Sequence, residues 1–372
     1  MKRETMRTWA EVSLDNIRRN IKEIKSAFGP ETALLGVVKA NAFGHGAVPV
    51  AKAMLDSGAE YLAVACLAEA EELRAAGINA PILIFGVTPA LFAGTLEELG
   101  LTQTVGSLSY ARELSKHLHG ELKVHLKLDT GMGRLGFAAG NGAQMREMTE
   151  ALKLPKLNFE GVFTHFAVSD CPGDSFTDEQ YARFTGAVEQ AESALGHRFK
   201  IRHCANSGAV INYKQLAMDM VRPGLISYGM YPAEERGGLS LLPALELKSR
   251  VYAITEHFPG DTISYGRTYK LDEPKRLAVV PIGYADGLHR VLSGKIDMLI
   301  RGQRCPQAGR ICMDMCMVDI SGVPDCAEND VVTVIGRDGD GQILADELAE
   351  KAGTINYEIT CAITARVPRV YI

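Results

Sequence analysis

A (β/α)₈ barrel followed by a second, mainly β domain is the α/β fold class that this 372-residue chain predicts. Up to residue 240, strand-like and helix-like segments alternate as eight β-then-α units, the count of a barrel. Beyond that point the rhythm becomes strand-rich, punctuated by Gly, Pro and Asp at irregular intervals. Between the two, Pro232-Ala233-Glu234-Glu235-Arg236-Gly237-Gly238 reads as a solvated connection. The expected domains are a barrel over 1–240 and a β domain over 241–372, with about the first ten residues packing with the latter. A doubly wound open sheet has the same count of units, so counting alone leaves it open.

The elements follow from periodicity. Leu14, Ile17, Ile21 and Ile24 have helical spacing behind Ser13, a residue able to cap. Apolar strand segments recur at 33–38, 61–65, 82–85, 101–105, 122–128, 159–164, 199–204 and 225–229, with room for one helix between neighbours. The clearest helix is 178–195, where Tyr181, Phe184, Val188, Ala191 and Leu195 repeat every three or four residues behind a Thr177/Gln180 capping-box pattern. The second domain reads as strands at 244–256, 276–284, 296–301, 311–320, 330–335 and 366–371, with one helix near 345–352. No solenoid-period repeat is visible.

Composition excludes several classes. An apolar share of 47%, a charged share of 23% and a net charge of −5 describe an ordinary globular chain, with no reason to bind nucleic acid or an acidic membrane. The segment Met1-Lys2-Arg3-Glu4-Thr5-Met6-Arg7 leads into an amphipathic stretch rather than an apolar signal core, and no apolar run approaches spanning length. The eight cysteines are scattered without a Cys-x-x-Cys pair, so reduced thiols in a cytoplasm are the simplest expectation.

Lys39 is the most informative residue. It ends a β-branched run and precedes the glycine-punctuated Asn41-Ala42-Phe43-Gly44-His45-Gly46. An ammonium at a buried strand end is costly to keep charged, which favours the free amine that attacks carbonyls as a Schiff-base lysine. The ordinary alternative is a lysine that snorkels to solvent. In a barrel, polar residues at strand C-terminal ends gather at one mouth. Lys39 follows strand 1, Lys127 ends strand 5, Arg134 lies in the loop after it and His165 ends strand 6. Asn206 and Ser207 follow strand 7, and Arg222-Pro223-Gly224 precedes strand 8. Barrels often cradle a phosphate near strands 7 and 8, and Ser207 with the amides around Gly224 and Leu225 suits that role. An amine and a phosphate site across one mouth suggest pyridoxal 5′-phosphate (PLP).

These residues resemble the alanine racemases, fold-type III PLP enzymes with a barrel and a C-terminal β domain, nearly end to end. The likeness runs through Val38-Lys39-Ala40-Asn41-Ala42-Phe43-Gly44-His45-Gly46 and Lys127-Leu128-Asp129-Thr130-Gly131-Met132-Gly133-Arg134-Leu135-Gly136. It continues in Thr164-His165-Phe166, Ala205-Asn206-Ser207 and Val221-Arg222-Pro223-Gly224. In the second domain it includes Ser264-Tyr265-Gly266, Pro281-Ile282-Gly283-Tyr284-Ala285-Asp286-Gly287, Gly309-Arg310-Ile311-Cys312-Met313-Asp314 and Thr354-Ile355-Asn356-Tyr357-Glu358.

The resemblance implies a homodimer that interconverts L- and D-alanine by two bases, with cell-wall D-alanine supply as the use in a bacterium. Lys39 would hold PLP and act on one face of Cα; Tyr265, from the partner subunit, would act on the other. A phenol with pKa about 10 serves as a base only where positive charge or donors stabilise its anion, and the family supplies His165 and Arg222 as that network. Arg222 would also face the pyridine nitrogen and keep it unprotonated, because arginine only donates. Arg134 and the partner's Met313 amide would hold the substrate carboxylate, and Lys127 matches a lysine often carbamylated. Ser207, Gly224, Leu225 and Tyr357 would hold the phosphate, His165 and Asn206 would also contact the cofactor, and Tyr357 would limit the pocket to a methyl group. Tyr284, Arg290 and Arg310 would line the approach, and Cys312 would be a bystander. One departure stands out: most relatives have tyrosine where this chain has Phe43.

Rival readings are poorer. Gly131-Met132-Gly133-Arg134-Leu135-Gly136 is a literal G-x-G-x-x-G, but Gly140 and Gly142 follow where a firm helix is required. His117-Leu118-His119 lies at a helix end, a poor place for a barrel metal. A PLP-carrier barrel without turnover resembles the first domain but lacks the second, so residues 240–372 separate the two. Serine and broad-specificity racemases share the scaffold, and Tyr357 favours alanine. Decarboxylases on this barrel place a carboxylate where Arg222 stands.

Overall fold

The computed structural model describes residues 5–372. It divides into two compact units. One comprises Asp15–Ala42 and Ala47–Leu242; the other comprises Phe43–Gly46 and Pro243–Ile372 with the described residues up to Leu14.

The first unit is a parallel barrel with helices outside. Its strands are β1 (Ala33–Val37), β2 (Tyr61–Val64), β3 (Ile82–Ile84), β4 (Thr102–Val105), β5 (Leu122–Asp129), β6 (Leu157–Phe163), β7 (Ile201–His203) and β8 (Met220–Val221). Neighbours pair in parallel from β1 to β7, and β8 pairs with β1 through Met220↔Ala33 and Val221↔Leu34. Backbone bonds from Asp219 N to Arg202 O (3.1 Å) and from Arg222 N to Ala205 O (2.9 Å) join β7 to β8. The sheet therefore nearly closes, which rules out the open doubly wound alternative. Leu34, Leu62, Ile82, Val105, Leu126 and Val162 are fully buried, because parallel strands covered on both faces read as continuous apolar runs.

Strand 8 is not where the apolar run 225–229 suggested. Leu225–Tyr228 is a buried 3-10 turn between Gly224 and a left-handed Gly229, and the true strand is the short Met220–Val221. A fully buried helical turn and a buried strand share the same apolar pattern, so periodicity does not separate them. The correction moves Arg222 from before the last strand to its C-terminal end. The Thr177/Gln180 box also fails: the helix begins at Phe176 with Ser175 at the cap, and Gln180 turns inward to donate to Thr130 Oγ1 (3.1 Å) and His165 O (3.2 Å).

The second unit is a largely antiparallel sheet. Asp297–Ile300 pairs with Gln303–Ala308 and with Val331–Asp338, which pairs with Leu245–Arg250. The strand Thr8–Val12 lies beside Leu245–Arg250 and, on its other edge, runs parallel to Arg369–Tyr371. The span 244–256 is two strands, Leu245–Arg250 and Ala253–His257, and 311–320 yields only Cys316–Asp319. The strand Gln303–Ala308 was not anticipated, since Arg304 and Pro306 interrupt its apolar pattern. The helix Ala345–Ala352 stands as expected, followed by a second, Asn356–Cys361. Gly44 is required here: it has φ +84°, and a Cβ would lie 2.1 Å from Thr360 O. No helix among the described residues is long and apolar enough to cross a membrane.

Candidate active site

Lys39 follows β1 and is itself followed by an unusual backbone. Ala40, Asn41 and Ala42 have φ of 51°, 53° and 53° with ψ near 50°, 47° and 52°, and Phe43 has φ 53°. This is one turn of left-handed helix made without glycine, at a cost of about 1–2 kcal/mol per residue. Such a turn persists only where its surroundings hold it. Ala42 N donates to Val38 O (2.8 Å), and Asn41 Oδ1 accepts from Ala47 N (2.8 Å). Glu69 accepts from Ala40 N (2.6 Å) with one oxygen and from Ala65 N (2.7 Å) with the other.

Arg222, at the end of β8, is buried, and its contacts fix the protonation of two histidines. Its NH2 donates to Thr164 O (2.8 Å) and Cys204 O (3.1 Å), and its NH1 lies 3.1 Å from His203 Nδ1. Guanidinium only donates, so His203 Nδ1 accepts and the His203 proton sits on Nε2. That nitrogen is 2.9 Å from His125 Nδ1, which leaves the His125 proton on Nε2, a buried atom without a hydrogen-bond partner. Burial first, then Arg222, keeps both rings neutral: His125 is pulled down to about 3 and His203 well below its usual value. Burial lowers Arg222 to about 10, still a cation at neutral pH. Phe163 stacks on His203 with centroids 4.8 Å apart and 9° between planes, and the guanidinium lies 5.5 Å from the same ring.

Lys127 Nζ donates to Leu128 O (2.7 Å) and sits 5.4 Å over Phe163. Burial takes its pKa down to about 7 against the opposite pull of Asp129, with Arg222 and Arg134 lowering it further. His165 keeps some contact with solvent, yet burial and then Arg222, Arg134, Lys127 and Lys39 push it well below its usual value. The G-x-G-x-x-G run is a turn around a carboxylate. Asp129 Oδ1 accepts from Gly131 N (2.9 Å) and Gly133 N (3.1 Å), and the loop exposes Arg134. Asn206 caps the helix Ser207–Asn212 by accepting from Ala209 N (3.1 Å). Ser207 Oγ accepts from Gly224 N (2.9 Å), beside Leu225 and the start of the 3-10 turn, whose first amides have no partner within it.

In the β unit, Tyr265 is 66% exposed. It stands between Ser264 (φ 64°) and Gly266 (φ 74°), where a Cβ would press on the Arg310 guanidinium at 3.0 Å. Ser264 Oγ donates to Arg310 O (2.6 Å) and lies 3.4 Å from Cys312 Sγ. Tyr284 N donates to Cys312 O and Ala285 N to Met313 O, both at 3.1 Å. Tyr265, Tyr284, Arg310, Cys312 and Met313 are thus brought together, and Met313 is 52% exposed. Ser293 links Arg290 to this group, donating to Arg290 O (2.6 Å) and accepting from Ile311 N (3.0 Å). The buried Asp286 braces the Tyr284 turn, accepting from Gly283 N (3.0 Å) and Arg7 NH2 (2.5 Å). Tyr357 is half-buried, its ring 5.8 Å from that of Phe43.

Sequence reasoning missed His125, His203 and Glu69. His125 and Lys127 alternate within an apolar strand, and period-2 geometry puts both on one face, so a signal existed. The Glu69 signal was weaker: an acid in the first turn of Leu67–Ala75, where carboxylates are common.

The donor set suits an anionic aromatic cofactor. Two guanidiniums and two lysine amines, Arg222, Arg134, Lys127 and Lys39, all act on His165, and Ser207 Oγ meets the Gly224 amide at the start of a 3-10 turn. An anion with an aldehyde for the amine and a ring nitrogen for the guanidinium satisfies that set. Fold and site together define a PLP-dependent barrel enzyme.

Comparisons carry this further. Residues 12–232 match the alanine racemase N-terminal domain and residues 244–371 the alanine racemase C-terminal domain. The chain is 45% identical over 368 residues to alanine racemase of Clostridium perfringens, covering 98% of this chain and 95% of that one. It is 43% identical over 369 residues to that of Desulforamulus reducens, covering 98% of each. The crystal structure of alanine racemase from Bacillus anthracis with bound L-Ala-P superposes with TM-score 0.93 at 40% identity, over 98% of this chain and 95% of that one. The chain belongs to the alanine racemase family of PLP-dependent isomerases.

Proposed function

We propose that this chain interconverts L- and D-alanine, with Lys39 and Tyr265 as bases on opposite faces of Cα. The chemistry PLP supplies when bound is withdrawal of electrons from the Cα–H bond of the attached amino acid, which makes that proton removable. Lys39 Nζ exchanges the proton on one face and Tyr265 Oη on the other, so removal on one side and return on the other inverts the centre. Arg222 stays charged and would donate to the ring nitrogen, leaving it unprotonated and weakening the cofactor's withdrawal of electrons. Neutral His165 and cationic Arg222 form the network that favours the Tyr265 phenolate.

Ser207, the amides of Gly224 and Leu225 and the Tyr357 hydroxyl would hold the phosphate, with Asn206 beside them capping the Ser207 helix. Arg134 and the Met313 amide of a second copy bind the substrate carboxylate. Lys127, near neutral above pH 7, has the free amine that takes up CO₂ as a carbamate. Tyr284, Arg290 and Arg310 line the approach. The half-buried Tyr357 restricts the side-chain pocket to a methyl group.

The observation that supports this most is the pairing of β8 with β1. Lys39 and Arg222 follow neighbouring strands, so an amine and a permanent cation share one mouth. The homodimer is supported by Tyr265 and Met313, exposed polar and apolar groups held on rigid turns. Eight free cysteines support a cytoplasmic location, where the product would feed cell-wall assembly.

The test is purified protein with PLP and either alanine enantiomer in deuterated water. Interconversion with deuterium at Cα, lost on PLP removal, is expected. Protein that binds PLP yet leaves Cα unexchanged overturns the reading.

A further inference from the structure

We propose that Glu69 is a positioning residue for Lys39, acting by holding the left-handed turn Ala40–Phe43 in place. The inference rests on Lys39 as the cofactor lysine. Glu69 is the third residue of the helix Leu67–Ala75, with Cys66 at the cap and no side-chain cap bond from it. An acid at that position ordinarily reaches back to the cap amide of its own helix. Here one oxygen takes Ala65 N, the first amide beyond β2, and the other leaves the helix to take Ala40 N, the amide next to Lys39. The carboxylate therefore ties together the ends of two neighbouring barrel strands at the residue that carries the amine.

The geometry gives the tie a purpose. Ala40 has φ 51° and ψ 50°, a region alanine leaves unless held. If Ala40 relaxes toward right-handed values, the chain direction after Lys39 changes and the Cα–Cβ bond of the lysine turns with it. Asn41, through Ala47 N, anchors only the far end of the turn. Glu69 anchors the end that abuts Lys39, and it needs both oxygens as acceptors. Glutamine has one acceptor, so Glu69→Gln keeps one tie and loses the other.

The test has two readouts. Apoprotein is mixed with PLP, the visible band of lysine-bound cofactor is followed in time, and the attachment point is mapped after borohydride reduction. Alanine racemisation is then measured as kcat and KM separately. In Glu69→Gln, attachment at Lys39 slows and kcat falls, each by roughly ten- to a hundred-fold, with KM little changed. Ala40→Gly adopts φ 51° without strain, so in that background Glu69→Gln costs less than about threefold. If Glu69 only caps its helix, Glu69→Gln lowers the melting temperature while attachment rate and kcat stay put, or the two substitutions combine additively. Either result overturns the proposal. PLP attached to another lysine would instead overturn the assignment of Lys39 itself.

Discussion

The two units carry their functional side chains in opposite ways. In the barrel, Arg222, His203, Lys127 and Ser207 are buried and bonded to their own unit, and burial lowers the pKa of the first three. In the β unit, Tyr265, Tyr284 and Met313 are exposed on turns held rigid by Ser264, Gly266 and the buried Asp286. The barrel groups are set by their own unit, whereas the β-unit side chains reach solvent; on the function proposed above, the latter serve a second copy of the chain.

The sharpest way to break that contrast is complementation, which also carries the largest effect. Lys39→Ala and Tyr265→Phe are each expected to lose about 10³-fold or more in kcat, since each removes a proton carrier. If sites are shared between subunits, mixing the two inactive proteins under conditions of subunit exchange restores activity. Half of the dimers become hybrids with one intact site, so recovery approaches about a quarter of wild type. Racemisation assays on the mixture check this. No recovery despite hybrids demonstrated by mass spectrometry would mean that each chain completes its own site.

The same contrast explains what sequence reading reached. Lys39, Lys127 and His165 were legible because each is a polar residue ending an apolar run, and barrel topology sends such residues to one mouth; Arg222 was picked out beside the last strand but placed before it instead of after it. Seven of the eight strands were placed by alternation alone, but the last was put at 225–229 instead of Met220–Val221. Two residues are too few for a period, and the buried turn after them is more apolar. The His203–His125 chain was not legible, because its meaning depends on a 2.9 Å contact between residues 78 apart in sequence. Glu69 was hidden for another reason: its own helix supplies a sufficient ordinary account of an early acid.

The barrel's self-sufficiency is tested by comparing its two histidines. His203→Leu removes the acceptor facing Arg222 and the ring stacked on Phe163. A hydrogen bond to a charged group contributes about 1.5–3 kcal/mol, so a loss of that size is expected in denaturant unfolding, with reduced kcat. His125→Leu takes the acceptor from His203 but also deletes a buried donor that already lacks a partner. Those effects oppose one another, and the expected loss is about 1 kcal/mol or less. Equal losses for the two would show that Arg222 does not depend on the order of this chain.

Phe43 gives the smallest and finest test, because it belongs to the β unit although its sequence neighbours up to Ala42 belong to the barrel. Its ring is 4% exposed and packs at 52° against Tyr357, in a left-handed conformation. The family resemblance implies a phenol at this position, with its hydroxyl on the cofactor phosphate. A direct bond to a charged group is worth about 1.5–3 kcal/mol, but water replaces much of it where the hydroxyl is absent. Phe43→Tyr is therefore expected to slow PLP dissociation by about threefold to tenfold while leaving kcat within twofold. Release of PLP into a trapping apoprotein, followed by absorbance, measures it. An unchanged release rate would mean that a hydroxyl at position 43 makes no bond to the phosphate.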